Sequence, residues 1–195
     1  METALKLIND FVPSCEQEEV DKKLFIRALE SCPDSLARDN LFGHFSASAW
    51  LMNRTKDKIL CCYHKQYDRW QWLGGHCDGD GDFLRVVKKE ITEESGLEDF
   101  ELYHDGIFSL ESFSVTAHYK NGKYVPAHAH WNVTYAFLAD ENSETRIAEA
   151  ENSAIAWKTF EELIDHTPTN TSSRAVYRKL MEKTHHIDNR HPVGV

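Results

Sequence analysis

No apolar run in this chain approaches the roughly 20 residues that a membrane-spanning helix needs, so no helical span is expected. Clustered positive charge is also missing: 22 Lys and Arg stand against 32 Asp and Glu, for a net charge of −10 at pH 7. Duplex nucleic acids and anionic membranes are held by grouped Lys and Arg that neutralise phosphate, so neither is an expected partner. A nucleotide-sized anion stays open, because a bound cation can supply positive charge locally. The N-terminal METALKLINDF carries acidic residues and no long apolar stretch, unlike a secretory signal. The five cysteines are odd in number and irregularly spaced (Cys15, Cys32, Cys61, Cys62, Cys77). That pattern offers no disulfide framework, and free thiols in a cytoplasmic protein are expected. Internal repeats and low-complexity linkers are absent. A chain of 195 residues is long enough for one well-buried core and short for two.

What is present is a change of period along the chain. In the first forty residues, Ala4, Leu5, Ile8 and Phe11 mark a short apolar helical face stopped by Pro13. Ser14 with Gln17 predicts a capping box for a second helix, whose buried stripe would be Val20, Leu24, Phe25, Ala28 and Leu29. From residue 44 the period becomes two: Phe45, Ala47, Ala49 and Leu51 oppose Ser46, Ser48, Trp50 and Met52. KILCCYH (58–64) reads as the return strand and Trp70–Leu73 as a strand running into Gly74 and Gly75. The following HCDGDGD is loop. Residues 83–95 predict a helix with Leu84, Val87 and Ile91 on its core side, closed by Gly96. Strands are expected over 106–119 and 130–139, joined by the loop KNGKYVPAHA. Another is expected from Ala154, with Thr159 and Glu162 capping a short helix. A last helix, about Thr171 to Lys183, would bury Ala175, Val176, Leu180 and Tyr177. The tail has no periodicity and is expected to fray. Strands on both sides of one helix predict a mixed sheet packed against helices, an α/β chain of the α+β type.

The densest chemistry lies in that central helix. Glu90, Glu93 and Glu94 stand at i, i+3 and i+4, which places three carboxylates on one helical face. They repel unless a cation sits among them, and oxygen ligands on a rigid element suit Mg²⁺ or Mn²⁺. Three ordinary glutamates on a solvated helix are the bland alternative. With Gly75 ahead of the helix and Gly96-Leu97 closing it, the segment resembles the Nudix box, G-x5-E-x7-R-E-U-x-E-E-x-G-U, where U is bulky and apolar. Gly75 takes the first Gly, and Glu90, Ile91, Glu93, Glu94, Gly96 and Leu97 take the later positions. Two positions depart: Gly81 stands where the first Glu would be, and Lys89 where the Arg would be. The resemblance implies a Nudix fold, a mixed sheet sandwiched between helices, over residues 41–185. Residues 1–40 would be a helical extension packed on it, and 186–195 a tail. It also implies metal-dependent hydrolysis of a diphosphate within a nucleotide or nucleotide-sugar type of molecule, by a monomer or homodimer. A catalytically weakened nucleotide-binding module is the alternative that Gly81 and Lys89 favour, and an isoprenyl diphosphate isomerase a more distant one.

Residue by residue, Glu93 and Glu94 are the expected principal metal ligands, with Glu90 a ligand or a base acting through water. The resemblance adds the Gly75 carbonyl as a ligand, and a Gly there leaves room for metal and phosphate to approach the backbone. Asp78, Asp80 and Asp82 flank Gly81 and could replace its missing carboxylate. Lys89 keeps the charge of Arg but not its planar fork. His76 and Lys89 are candidate substrate-binding residues. So are His128 and His130, which alternate and would share a strand face; a surface-loop role is their other reading. Zinc held by these two with His64 and Cys61 or Cys62 fits no standard spacing. In the acidic stretch Glu141, Glu144, Glu149 and Glu151, Glu151 is the candidate general base, a solvated loop being the plain reading. The tryptophans and Tyr135 read as core or rim, one of them alternatively stacking on a base.

Overall fold

Strand β1 (Gly43–Asn53) is buried along its whole length, because it lies in the middle of a mixed sheet with packed layers on both sides. The structure, a computed structural model, describes residues 1–65, 68–120, 122–148, 152–168 and 172–190. Two helices, α1 (Glu2–Asp10) and α2 (Glu16–Ser31), precede β1. After it come β2 (Lys58–His64), β3 (Arg69–His76) and the helix α3 (Phe83–Ser95). Then follow β4 (Glu101–Leu102), β5 (Ser109–Val115), β6 (His118–Lys120), β7 (Lys123–Val125) and β8 (His128–Ala139). The chain continues through β9 (Asn152–Thr159), α4 (Phe160–Asp165) and α5 (Ser172–Arg190). The seven-stranded sheet runs β4-β8-β1-β3-β2-β9, with β5 also on β8, and β6 and β7 form a separate hairpin. β1 and β8 are parallel; the other strand pairs are antiparallel.

The period-two pattern of β1 sorts its residues between two cores. Phe45, Ala47, Ala49 and Leu51 join Phe83, Val86, Val87 and Ile91 of α3 and Ala4, Ile8, Phe25 and Leu29 of the N-terminal helices. Trp50 and Met52 join Phe160, Leu163, Tyr177 and Leu180 of α4 and α5. The expected helix–sheet–helix sandwich is therefore present. No described helix is long and apolar enough to cross a membrane.

Several local expectations shift. α2 is not opened by Ser14 and Gln17; the Ser14 N–H and hydroxyl instead donate to Glu18 at 2.8 and 3.0 Å. Val20 is 57% exposed, and the buried face is Glu18, Asp21, Phe25, Ala28 and Leu29. A carboxylate can take a core position there because Lys183 of α5 donates to Glu18 at 2.7 Å and Lys179 lies 3.4 Å away. In α3, Phe83 and Val86 are buried where Leu84 was expected. In α5, Tyr177 is buried and Ala175 is exposed, and the helix continues to Arg190, with Ile187 packing on the second core. The segment expected as a loop between strands holds the β6–β7 hairpin. The capping box at Thr159 and Glu162 is present with both of its hydrogen bonds.

Candidate active site

The loop between β3 and α3 is shaped by its aspartates. Asp82 caps α3, accepting from the Arg85 N–H at 3.1 Å. Asp80 takes both arms of the Arg85 guanidinium, at 2.8 and 2.7 Å. Asp78 is clasped by Arg38. Those arginine hydrogen bonds hold the Asp78 and Asp80 carboxyls below their ordinary range. Each of the three aspartates that the sequence offered in place of a carboxylate at position 81 thus has a partner within the protein: Arg38 for Asp78, Arg85 for Asp80 and the Arg85 N–H for Asp82. The left-handed backbone of the loop falls on Asp78 (φ 49°) and Gly79 (φ 91°). At Gly81 the constraint is space: a Cβ would lie 3.1 Å from the Met1 nitrogen and 3.5 Å from the Ala4 Cβ. Helix α1 thus covers the place where the box pattern has its first Glu.

The three glutamates of α3 sit in three different environments. Glu90 lies against the strand before the helix, and a Cβ on Gly75 would be 2.5 Å from its carboxyl carbon. Only glycine leaves that cradle open. Glu94 is 6% exposed; it accepts from the Gly74 N–H at 2.8 Å and the Asn152 side-chain amide at 3.1 Å, with Cys62 Sγ at 3.8 Å. Glu93 is exposed and pairs with Lys89 one turn back at 3.1 Å. Lys89 and Glu93 border an open depression of about 560 Å³ with Arg85, Lys88 and Thr92. The donor types, all oxygen beside a backbone kept bare by Gly75, are those a hard divalent cation takes, but among the described residues the three carboxylates do not gather their oxygens within 4.8 Å of one another. Glu151, the expected base, lies outside the described residues, as does Glu149. Glu141 pairs with Lys58.

His76, His128 and His130 come together, but on the other side of the sheet. Gly75 is opposite Ala47, on the α3 side, so the adjacent His76, opposite Ser46, faces away from α3. His130 is opposite His44 of β1, and these rings with His128 line a cavity of about 130 Å³. Arg38, His118 and Lys120 line it too. Burial lowers the His76 pKa to about 4 and that of His130 to about 2, and the neighbouring rings add to the effect. Burial lowers that of His44 as well. Of the residues expected to bind substrate, Lys89 alone stays with the glutamates. His44 was not singled out from sequence; its only signal there is its place at the head of the alternating run. Cys61 belongs to the second core and Cys62 lies beside Glu94, so neither joins the histidines. All five cysteines are free.

A family profile described as NUDIX domain matches residues 43–181, from the start of β1 into α5. The fold is similar to that of a C. elegans Ap4A hydrolase in a binary complex, at TM-score 0.53 and 14% identity over 73% of this chain and 96% of that one. It is similar to a MutT protein from Methanosarcina mazei Go1, at TM-score 0.56 and 14% identity over 74% and 97% of the two chains. A Nudix hydrolase from M. smegmatis gives TM-score 0.54 and 14% identity over 78% and 94%. Identities this low speak for the fold alone. No curated protein sequence matches the chain. The matched span takes in the central strands, the end of β3 that cradles Glu90 and the whole of α3; on that match, the chain belongs to the Nudix family.

Proposed function

We propose that this protein is a divalent-metal-dependent hydrolase of a diphosphate bond, in a small molecule where a nucleoside diphosphate is linked to another group. The observation that carries the reading is the Glu90 carboxylate against Gly75, where a Cβ would sit 2.5 Å from its carboxyl carbon. Glu90, Glu93, Glu94 and the Gly75 carbonyl are the residues that would hold Mg²⁺ or Mn²⁺. When bound, such an ion supplies Lewis-acid charge to the phosphate oxygens and a more acidic water. Glu94, fixed by Gly74 and Asn152, sets the position of one carboxylate before any ligand arrives, which is the preorganisation that charge stabilisation needs. Lys89 is assigned to balance the charge of Glu93 and the incoming diphosphate. Glu90, or Glu151 beyond the described residues, is assigned to take the proton of the attacking water. The water oxygen bonds to one phosphorus, the bond from that phosphorus to the bridging oxygen breaks, and two phosphate esters leave. The free cysteines fit a cytoplasmic setting.

A second reading is a Nudix-fold binding module with weakened catalysis. What favours it is α1 over Gly81, which leaves no room for the missing glutamate without moving Met1. One experiment separates the two. A panel of nucleotide and nucleotide-sugar diphosphates is assayed in chelator, then with Mg²⁺ and with Mn²⁺, for release of phosphate esters. Metal-restored turnover with a mildly alkaline optimum is expected, since nucleophile is gained as protons leave. No turnover with either metal, alongside tight nucleotide binding, would put the binding module in its place.

A further inference from the structure

The histidine cavity has a construction that diphosphate hydrolysis does not use. His44, His76 and His130 each offer a ring nitrogen, and these atoms lie within 4.8 Å of one another. Tetrahedral ligands at about 2.0–2.1 Å from a zinc ion are about 3.3 Å apart, so side-chain adjustments of about 1 Å close the set. Two hydrogen bonds fix which nitrogen points inward. His44 Nδ1 faces the Asn40 carbonyl at 3.3 Å. His128 Nδ1 faces the Pro126 carbonyl at 2.8 Å. A ring nitrogen facing a carbonyl oxygen must carry the proton, which leaves each Nε2 as a bare lone pair. His44 is only 4% exposed, and its Nε2 has no hydrogen-bond partner. A buried lone pair without a partner is costly, and a backbone carbonyl holding the far nitrogen is how metal-binding imidazoles are oriented. His128 Nε2 lies 3.2 Å from His130 Nε2 and accepts a hydrogen bond from its N–H; cation binding through that nitrogen of His130 would displace this proton.

We propose that His44, His76 and His130 form a binding site for one zinc-class divalent cation, flanked by His128, on the sheet face opposite Glu90. An all-imidazole set selects Zn²⁺ and its transition-metal neighbours over Mg²⁺, which wants oxygen. An anion held by Arg38 and Lys120 is the competing occupant. The bare Nε2 of His44 disfavours it, because a lone pair repels an anionic oxygen. The site is independent of the hydrolase reading, and its test does not use turnover.

Tag-free protein is purified without chelator, its metal content measured, and the metal-stripped protein titrated with Zn²⁺ and Co²⁺. The expected result is one equivalent bound, with Kd of about 1 µM or tighter, undisturbed by millimolar Mg²⁺. Bound Co²⁺ should show the strong visible absorption of a nitrogen-rich, low-coordinate site. His76→Gln and His130→Gln should each weaken binding by at least about tenfold, while Glu93→Gln keeps it. Circular dichroism checks that each variant is folded, and the wild-type Co²⁺ spectrum stands whatever the variants do. The proposal is overturned by weak, octahedral-type Co²⁺ absorption in wild-type protein, or by undiminished binding in both folded histidine variants. Loss of the metal in Glu93→Gln, or binding of inorganic phosphate in place of any metal, would overturn it equally.

Discussion

Lys183, in the second half of α5, donates to the Oε1 of Glu18, in the first turn of α2, at 2.7 Å. Glu18 is fully buried and also accepts from Ser109 of β5 at 2.7 Å. Lys179 completes the group, 3.1 Å from Glu111 and 3.4 Å from Glu18. The N-terminal helices are thereby tied to the last helix through buried charge, and the Lys183 ammonium also lies 5.5 Å from the centre of the Phe11 ring. Burial alone would raise the Glu18 pKa, but Lys183, the Ser14 N–H and Lys179 outweigh it and hold the group at about 2.

The sign of the pH effect follows from that value. The folded pKa is below the ordinary 4.5, so the stabilisation is complete above about pH 5 and is lost as pH falls through 4.5 towards 2. A depression of that size is worth about 3 kcal/mol by linkage. Denaturant unfolding at a series of pH values should show this loss. Glu18→Gln should flatten that part of the curve and, by leaving two lysines short of a partner, cost about 3 kcal/mol at neutral pH. A variant with the wild-type acid slope would show that Glu18 is not the titrating group.

Gly75→Ala tests the cradle at the candidate active site. The added Cβ would meet the flexible end of Glu90 at 2.5 Å, so the carboxylate must swing away while the fold survives. Thermal unfolding should therefore move little. Turnover should fall about 100-fold, the cost of misplacing a reacting group by roughly an ångström. Wild-type turnover in this variant would separate the position of Glu90 from the chemistry.

Elements set by local chemistry were legible in the sequence. β2 is Lys58–His64 and α3 is Phe83–Ser95, as expected, because a turn, a cap and a left-handed Gly96 bound them. The carboxylate spacing of the box likewise placed Glu90, Glu93 and Glu94 on one helix, α3. What failed depends on contacts distant in the chain. The buried face of α2 was misread because nothing near Glu18 reveals that Lys183 will neutralise it. His44 was overlooked because only the parallel register of β1 on β8 sets it against His130. Nothing near the loop aspartates in sequence shows that Arg38, forty residues earlier, pairs with Asp78. The β6–β7 hairpin had a signal that went unused, an Asn-Gly pair between two tyrosine-bearing segments.

The environments of Glu93 and Glu94 predict that their substitutions separate. Both Gln variants should lose turnover by orders of magnitude if these carboxylates hold the metal. Their stabilities should differ. Glu93 is exposed and paired with an exposed Lys89, so Glu93→Gln should stay within about 0.5 kcal/mol of wild type. Glu94 accepts from Gly74 and Asn152 while buried. An amide there turns an NH₂ towards another donor, and Glu94→Gln should cost about 1–3 kcal/mol. Denaturant midpoints that coincide for the two variants would contradict the buried role of Glu94.

Gly81→Glu asks whether the missing box carboxylate is a deficit. The new Cβ would lie 3.1 Å from the Met1 nitrogen, so α1 must give by a few tenths of an ångström. The positive end of the α1 dipole then lies beside it. The added carboxylate should pair there and not join Glu90 on α3. The expected outcome is a stability change within about 1 kcal/mol, with Mn²⁺ affinity and turnover unchanged. Isothermal titration with Mn²⁺ decides it. Affinity raised tenfold would mean that α1 yields its place, that the glutamate reaches the metal, and that the wild-type site is one ligand short.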